Sequence, residues 1–175
     1  MKYCSHCGSA DLKKEIPPGD NRVRTVCGNC GTIHYHNPKI ITGCLPVWEN
    51  KVLLCRRAIE PRKGYWNVPA GFMELGESVE AGAAREVWEE AKAKVNIWGV
   101  HTIFTFTRFN HVYVQYLGEL VDGKFGIGEE SLEVKLFAEE EIPWKEIAFE
   151  SSLFALKKYF EDRKNGERKV HSGFL

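Results

Sequence analysis

Apolar and polar positions alternate in several short runs along the chain, which is the pattern of half-buried β-strands. The runs at 40–48 and 52–55 are separated by the polar pair Glu49-Asn50, and the runs at 94–109 and 111–121 meet at Asn110. A further short run covers 133–137. Together these runs predict a mixed β-sheet.

Two other segments carry apolar residues at helical spacing. The first begins at Ser78 and continues to about Ala91, with Val79, Ala83 and Val87 on one side. The second covers 151 to about 163. Residues 64–76, ahead of the first helix, contain four glycine or proline breaks and predict an irregular loop. Strands interrupted by two helices indicate an α/β fold.

The first 36 residues follow a different pattern, rich in Cys, Gly and polar residues, and cannot form an apolar core of their own. They contain two Cys-x-x-Cys pairs, in which the second cysteine is followed by glycine. The four cysteines are Cys4, Cys7, Cys27 and Cys30. Four thiolates at this spacing can close a tetrahedral shell around Zn²⁺. Residues 1–36 are therefore predicted to be a zinc ribbon that holds a structural ion.

Other interpretations of these cysteines stay open, namely two disulfides or a redox pair. His6, His34 and His36 are further candidate ligands, but four cysteines already suffice, so we expect these histidines to be bystanders. Cys44 and Cys55 lie in apolar runs and are expected to be buried packing residues.

Composition narrows the function classes. Acidic and basic residues balance at 24 each, so the net charge does not attract polyanions, and we expect no nucleic-acid partner. No run of 18 apolar residues exists, and the amino terminus lacks the apolar middle of an export signal. The sequence therefore predicts a cytoplasmic protein without a membrane partner.

Candidate chemistry is concentrated on the first helix. Glu86, Glu89 and Glu90 are three or four residues apart, so their carboxylates project along one strip of the helix. Like charges at this spacing repel each other, and hard cations such as Mg²⁺ favour carboxylate oxygens. A solvated acidic helix face is the alternative interpretation.

The residues around this strip resemble the Nudix box, through Gly71, Glu77 and the run from Arg85 to Glu90. The resemblance implies a Nudix-type α/β/α sandwich with a mixed sheet over 37–165, behind the zinc ribbon. Residues 166–175 form the predicted tail, and the segment from 164 to 175 is expected to be partly mobile. It also implies Mg²⁺-dependent (or Mn²⁺-dependent) hydrolysis of a diphosphate. Glu86, Glu89, Glu90 and the Gly71 carbonyl would hold the metal, Glu77 would support them, and Arg85 would pair with acidic neighbours.

The sequence differs from the Nudix box at one position, and an additional acidic residue is expected outside the box. Lys92 stands where the family has glycine near the helix end, and a changed helix exit is expected, because lysine takes a left-handed cap only with strain. Family members also use an acidic group from outside the box as a metal ligand or general base. Glu133 is the first candidate by resemblance, and Glu129 and Glu130 are held in reserve.

The resemblance extends to two groups with a zinc ribbon, the NADH pyrophosphatases and the hydrolases of ADP-ribose and FAD. The NADH group carries a Ser-Gln-Pro-Trp-Pro-Phe-Pro segment after the box, which this chain lacks. Segments 16–20, 33–39, 59–61 and 69–77 look like the second group. ADP-ribose or FAD is therefore the expected substrate, with AMP as a product. NADH or NAD⁺ is the alternative substrate, and a non-catalytic nucleotide-sensing regulator is the alternative class.

Candidate substrate contacts lie outside the box. Arg56 and Arg57 follow an apolar strand and could pair with phosphate oxygens, with one of the two pointing into solvent. Aromatic side chains that could stack on adenine or flavin are Tyr65, Trp66, Phe104 and Phe106, although aromatic residues on strands are often core. A homodimer is also expected from the resemblance, since many relatives pair.

Overall fold

The computed structural model describes all 175 residues, which form two compact units, Met1–Asn37 and Pro38–Leu175. This division lies one residue beyond the predicted end of the ribbon at 36. The first unit contains three short antiparallel strands, β1 (Leu12–Glu15), β2 (Arg24–Cys27) and β3 (Ile33–His34), with β2 in the centre.

The second unit contains an eight-stranded mixed sheet. Its strands are β4 (Lys39–Trp48), β5 (Lys51–Arg57), β6 (Trp66–Asn67), β7 (Ala70–Phe72), β8 (Val95–Phe106), β9 (His111–Leu120), β10 (Ser131–Phe137) and β11 (His171–Phe174). The order is β10-β5-β4-β9-β8-β11, with β6 paired to β5 and β7 paired to β4. The β4–β9 and β8–β11 pairs are parallel and the other pairs are antiparallel.

Two helices, α1 (Val79–Ala91) and α2 (Glu150–Asn165), pack on opposite faces of this sheet. Because side chains alternate along β5, Leu53 and Cys55 join the core cluster that contains α1. Val52 and Leu54 join the cluster that contains α2. The predicted α/β/α sandwich is confirmed, and so is the burial of Cys44 and Cys55. No helix of the structure has the length and apolar character needed to cross a membrane.

Helix α1 begins where the sequence predicts. The Ser78 side chain accepts a hydrogen bond from the Ala81 amide (3.1 Å), which satisfies one free donor of the first turn. Ala83, Val87 and Ala91 face the sheet with no exposed surface. Trp88 remains half-exposed.

The exit of α1 differs from the prediction. Lys92 adopts the left-handed conformation (φ 48°) that the usual glycine would take, and its amide donates to the Trp88 carbonyl. The helix exit is therefore kept, and the lysine carries the steric cost of this conformation, about 1–2 kcal/mol.

Two segments are more regular than the sequence predicts. Within 64–76, short strands β6 and β7 pair with β5 and β4, because the sheet offers free strand edges there. The segment predicted as a mobile tail contains β11, which pairs with β8 over His171–Phe174. The His171 Nε2 lies 2.9 Å from the Asp162 carboxylate on α2, which also fixes this strand.

Candidate active site

Several connecting segments meet at one end of the sheet in the second unit, which we call the Arg57 end. Strand β5 ends at Arg57, and β10 begins beside it at Ser131. Strands β4 and β9 begin at the same end, where Lys39 pairs with His111. Strand β7 pairs with the first residues of β4, so Gly71 also lies at this end. The acidic strip of α1 also lies at this end, because Glu90 and Glu86 contact Ala70 and Gly71 of β7.

Arg85 is the centre of the acidic cluster. Its Nε and Nη2 donate to the two carboxylate oxygens of Glu77 (3.0 and 2.9 Å), and its Nη1 donates to Glu86 (2.6 Å) and Glu89 (2.9 Å). Nη2 also donates to the Phe72 carbonyl (3.1 Å). One guanidinium therefore joins three carboxylates of the box and the backbone of β7, which is the pairing expected for Arg85.

Two of the strip carboxylates are buried against the loop before α1. Glu90 is 6% exposed, and its Oε1 accepts a hydrogen bond from the Ala70 amide (3.2 Å). Glu86 is 8% exposed and lies directly over Gly71, where an added Cβ would be 2.3 Å from Glu86 Oε1. Any larger residue at 71 would displace this carboxylate. The Glu89 side chain is half-exposed.

The three environments move the carboxyl pKa values in different directions. Hydrogen bonds from Arg85 lower the pKa of Glu77 to about 2. Burial raises the pKa of Glu86, although Arg85 opposes this effect. Burial raises the pKa of Glu90 to about 8, with the charges of Glu86 and Glu130 acting in the same direction. A cation bound beside Glu90 would oppose the effect of burial and favour the charged form of this carboxyl group.

The donor set fits a hard divalent cation. Glu86, Glu89 and Glu90 offer carboxylate oxygens along one helix strip, and the close approach of Gly71 leaves room for the Glu86 carboxylate. Oxygen ligands of this type suit Mg²⁺ or Mn²⁺ and do not suit the softer ions that favour sulfur.

Outside the box, the loop before β10 lies at the end of α1. The Gly126 amide donates to the Ala91 carbonyl (2.7 Å) and the Gly128 amide to the Glu90 carbonyl (2.9 Å). A Cβ at Gly128 would meet the Glu89 carbonyl oxygen at 1.8 Å, so this position requires glycine. This packing brings Glu130 within electrostatic range of Glu86 and Glu90.

Glu133, the first candidate for the additional acidic group, lies on the other face of the sheet. It pairs directly with Arg56, which alternation along β5 places on the α2 face, and the two side chains form an ion pair (3.7 Å). Arg56 also donates to the Gly64 carbonyl (2.9 Å). The sheet therefore separates Glu133 and Arg56 from the acidic strip. The register of β10 against β5 shifts between Ser131 and Glu133, and this shift determines which β10 side chains face α1.

Arg57 remains beside the strip. Its Nε donates to the Pro61 carbonyl (2.9 Å), and its guanidinium lies 5.1 Å from the centre of the Phe149 ring. Its charge lowers the pKa of both Glu90 and Tyr113, although burial of each group outweighs this effect. Of the two predicted phosphate-binding arginines, Arg57 is the one that lies near the carboxylates.

The four aromatic residues predicted to stack on substrate differ in how far they are buried. Trp66 is 6% exposed and packs edge-on against Phe137, and Phe104 is 6% exposed and packs against Phe106 and Phe154. Both are core side chains, so the stacking role predicted for them is not supported. Their β-branched and aromatic surroundings in the sequence could not distinguish the two outcomes. Tyr65 and Phe106 are only partly buried.

The cysteines of the first unit form the predicted cluster. The ligand sulfurs of Cys4, Cys7, Cys27 and Cys30 all lie within 4.8 Å of one another. The Cys4–Cys30 and Cys7–Cys27 pairs are 3.7 and 3.6 Å apart. Sulfurs about 2.3 Å from one tetrahedral zinc would lie about 3.8 Å apart, so the cluster has the size of a zinc site. A hydrogen bond from Thr32 lowers the pKa of Cys30 to about 6, which favours the thiolate.

Replacing Cys4 with serine is expected to remove the zinc and lower the melting temperature, because the first unit has no other core to hold it. Zinc content by mass spectrometry and thermal unfolding of the same samples measure the two effects. His6→Ala is the matched control, since His6 is exposed in the same turn and lies outside the sulfur cluster. Full zinc content in Cys4→Ser would contradict the four-cysteine site.

Comparison with known proteins agrees with this geometry. The NUDIX domain profile matches residues 38–157, and the profile of the Nudix N-terminal zinc ribbon matches residues 2–36. The crystal structure of a NUDIX hydrolase from Nitrosomonas europaea is 48% identical, with a TM-score of 0.94 over 100% of this chain and 99% of that chain.

Curated relatives match over shorter stretches. The NAD-capped RNA hydrolase NudC of Vibrio atlanticus (strain LGP32) is 36% identical over 99 residues, which is 55% of this chain and 34% of that protein. The ADP-ribose pyrophosphatase of Methanocaldococcus jannaschii is 29% identical over 114 residues, 62% of this chain and 67% of that protein. The chain thus spans about a third of the NudC relative. Since the NUDIX profile alone covers well over half of the chain, the protein belongs to the Nudix hydrolase family, with that family's N-terminal zinc ribbon.

Proposed function

We propose that this protein is a divalent-cation-dependent pyrophosphohydrolase that cleaves the central diphosphate of NAD-type dinucleotides, with ADP-ribose as a second substrate. The observation that carries the proposal is the acidic strip of α1, in which Arg85 holds Glu77, Glu86 and Glu89 together while Glu90 is buried against Ala70. Such a cluster is built to bind cations in front of a diphosphate.

Glu86, Glu89 and Glu90 would hold Mg²⁺ or Mn²⁺, with the Gly71 carbonyl as a further candidate ligand. When bound, the cation would neutralise the diphosphate and lower the pKa of a water molecule. Arg85 keeps the strip in place through contacts that leave no guanidinium nitrogen without an acceptor. Arg57 is positioned to pair with a phosphate oxygen near Glu90.

The reaction forms one phosphorus–oxygen bond from water and breaks the bond to the bridging oxygen, giving AMP and the second mononucleotide. A nearby carboxylate accepts the proton of the water. We assign this additional acidic role to Glu130 in place of Glu133. The charge of Glu130 is close enough to raise the pKa of Glu86 and Glu90, whereas Glu133 lies on the α2 face of the sheet.

The relatives support NAD-type substrates over the expected FAD. The NudC relative is named for NAD-capped RNA and the archaeal relative for ADP-ribose, and both names share an adenosine diphosphate joined to ribose. Neither name contains a flavin. The absent Ser-Gln-Pro-Trp-Pro-Phe-Pro segment after Ala93 means that this chain must recognise the nicotinamide side with other residues.

A substrate panel tests the proposal. With Mg²⁺, the purified chain is expected to hydrolyse NADH or NAD⁺ with a kcat/KM at least about tenfold above that for FAD, because contacts on the nicotinamide side discriminate between the two. Chromatography of released AMP provides the measurement, with ADP-ribose as the third substrate. A preference for FAD would contradict the substrate choice, and no hydrolysis of any compound would contradict the reaction.

A further inference from the structure

A cleft with a volume of about 270 Å³ lies beside the first part of β8. Strand β11 pairs with only the second half of β8, and the preceding residues 168–170 run alongside residues 98–101 without pairing, which leaves the cleft. Leu117 also lines it and belongs to the core cluster that contains α2. The cleft therefore lies on the α2 face, separate from the acidic strip, and we call it the His101 cleft.

His101 brings an unpartnered polar atom to this cleft. The side chain is only 2% exposed, and its Nε2 lies 3.0 Å from the Ala155 carbonyl oxygen. A carbonyl oxygen can only accept, so Nε2 carries the hydrogen. Burial lowers the pKa of His101, which keeps the ring neutral and leaves a lone pair on Nδ1. Nδ1 has no hydrogen-bond partner in the protein, so a donor from outside the chain would satisfy it.

A cation without a carboxylate partner lies at the opening of the cleft. Arg168 is exposed, and its guanidinium lies 4.3 Å from the centre of the Trp98 ring, which is 40% exposed. The neighbouring Lys169 forms an ion pair with Glu167 (2.6 Å), whereas Arg168 forms none. The charge of Arg168 is therefore available to an anionic group.

The other side chains of the cleft are apolar. Val100, Leu117 and Val170 line it together with the Trp98 ring. A matching ligand has a hydrogen-bond donor for the buried Nδ1, an uncharged flat body, and a negative group for Arg168. The volume lies at the lower end of the range for small-molecule sites, roughly 300–1,000 Å³, which favours a mononucleotide over a dinucleotide.

We propose that the His101 cleft is a second ligand site that binds a nucleoside monophosphate whose base carries an amino group. The phosphate pairs with Arg168, the base lies against the apolar side chains, and the amino group donates to His101 Nδ1. AMP, the expected product of the reaction, is such a molecule, so the choice of ligand rests on the proposed function. The site itself rests on the cleft and its polar groups.

Binding of AMP is measured by isothermal titration calorimetry without added divalent cation. Arg168→Gln is expected to weaken binding at least tenfold, because it removes the charge-assisted contact with the phosphate. Adenosine, which has no phosphate, should bind the unaltered protein and Arg168→Gln equally weakly. Arg108→Gln is the matched control, since Arg108 is also exposed, forms no ion pair and lies 5.8 Å from the centre of the Phe109 ring.

Purine riboside 5′-monophosphate, which lacks the amino group, tests the contact with His101. It should bind more weakly than AMP, and Arg168→Gln should weaken both ligands by the same factor. The imidazole nitrogen NMR spectrum gives a direct readout, because the Nδ1 signal should move upfield with AMP and not with the purine analogue. A water molecule is the alternative partner of Nδ1. Equal affinity for the two nucleotides would favour water and overturn the inference, as would AMP binding that does not depend on Arg168.

The two proposals fail in different ways. Initial rates of NAD⁺ hydrolysis should be unchanged in Arg168→Gln, since Arg168 lies outside the acidic strip. If the unaltered protein binds AMP through Arg168 but hydrolyses no dinucleotide, the proposed reaction is wrong and the second site stands. If it hydrolyses NAD⁺ and Arg168→Gln binds AMP as well as the unaltered protein does, the reaction stands and the inference about the cleft is wrong.

Discussion

Replacing Glu90 with glutamine is expected to lower kcat for dinucleotide hydrolysis at least about 100-fold, because the amide carries no charge to hold a cation. Glutamine has nearly the same shape, and its carbonyl can still accept the hydrogen bond that the Ala70 amide gives to Glu90. The fold should therefore be kept. AMP release under saturating substrate and Mg²⁺ measures the loss.

A second readout separates a lost ligand from a disturbed fold. Mg²⁺ should raise the melting temperature of the unaltered protein, since a ligand that binds only the folded state stabilises it, and this rise should be smaller in Glu90→Gln. Glu80→Gln is the matched control, because Glu80 is an exposed carboxylate on the first turn of the same helix. Undiminished turnover in Glu90→Gln would refute the cation strip.

The fold was largely predictable because its signals are local. The Ser78 cap and the apolar spacing of Ala83 and Val87 determine where α1 begins and which side it buries. Strands β6 and β11 were missed for the opposite reason. Each is a short edge segment whose pairing depends on strands that are distant in sequence, so neither composition nor periodicity marks it.

Part of the candidate site was predictable and part was not. Spacing along one helix was enough to group Glu86, Glu89 and Glu90, because helical geometry fixes their relative directions. The choice between Glu130 and Glu133 depended on strand register, and a shift of one residue exchanges the two faces of a sheet. The backbone groups of Ala70 and Phe72 carry no sequence signal at all, yet they anchor Glu90 and Arg85.

The net charge of the chain was a weak basis for predicting its binding partners. Equal numbers of acidic and basic residues led to the expectation of no nucleic-acid partner, but charge balance says nothing about distribution. Four of the acidic residues lie on α1, whereas the Lys39 ammonium forms no ion pair and lies 5.2 Å from the centre of the Phe72 ring. Contacts between residues that are distant in sequence, such as Lys39 and Phe72, were needed to see this arrangement.

Replacing Arg85 with lysine is expected to lower both the stability of the fold and the turnover of the enzyme. Lysine keeps the charge but cannot supply the five N–H contacts that join Glu77, Glu86, Glu89 and the Phe72 carbonyl. The unfolding free energy is expected to fall by about 2 kcal/mol, a value reduced for the partial exposure of the arginine.

Turnover of Arg85→Lys should fall as well, because Glu86 and Glu89 lose the group that fixes their positions against Gly71. Urea denaturation gives the stability change, and AMP release gives the activity. Arg62→Lys serves as the control, since Arg62 is exposed, forms no ion pair and lies 5.4 Å from the centre of the Tyr65 ring. Unfolding and turnover equal to those of the unaltered protein would show that the carboxylates hold their arrangement without the guanidinium, and that cation binding rather than Arg85 organises the strip.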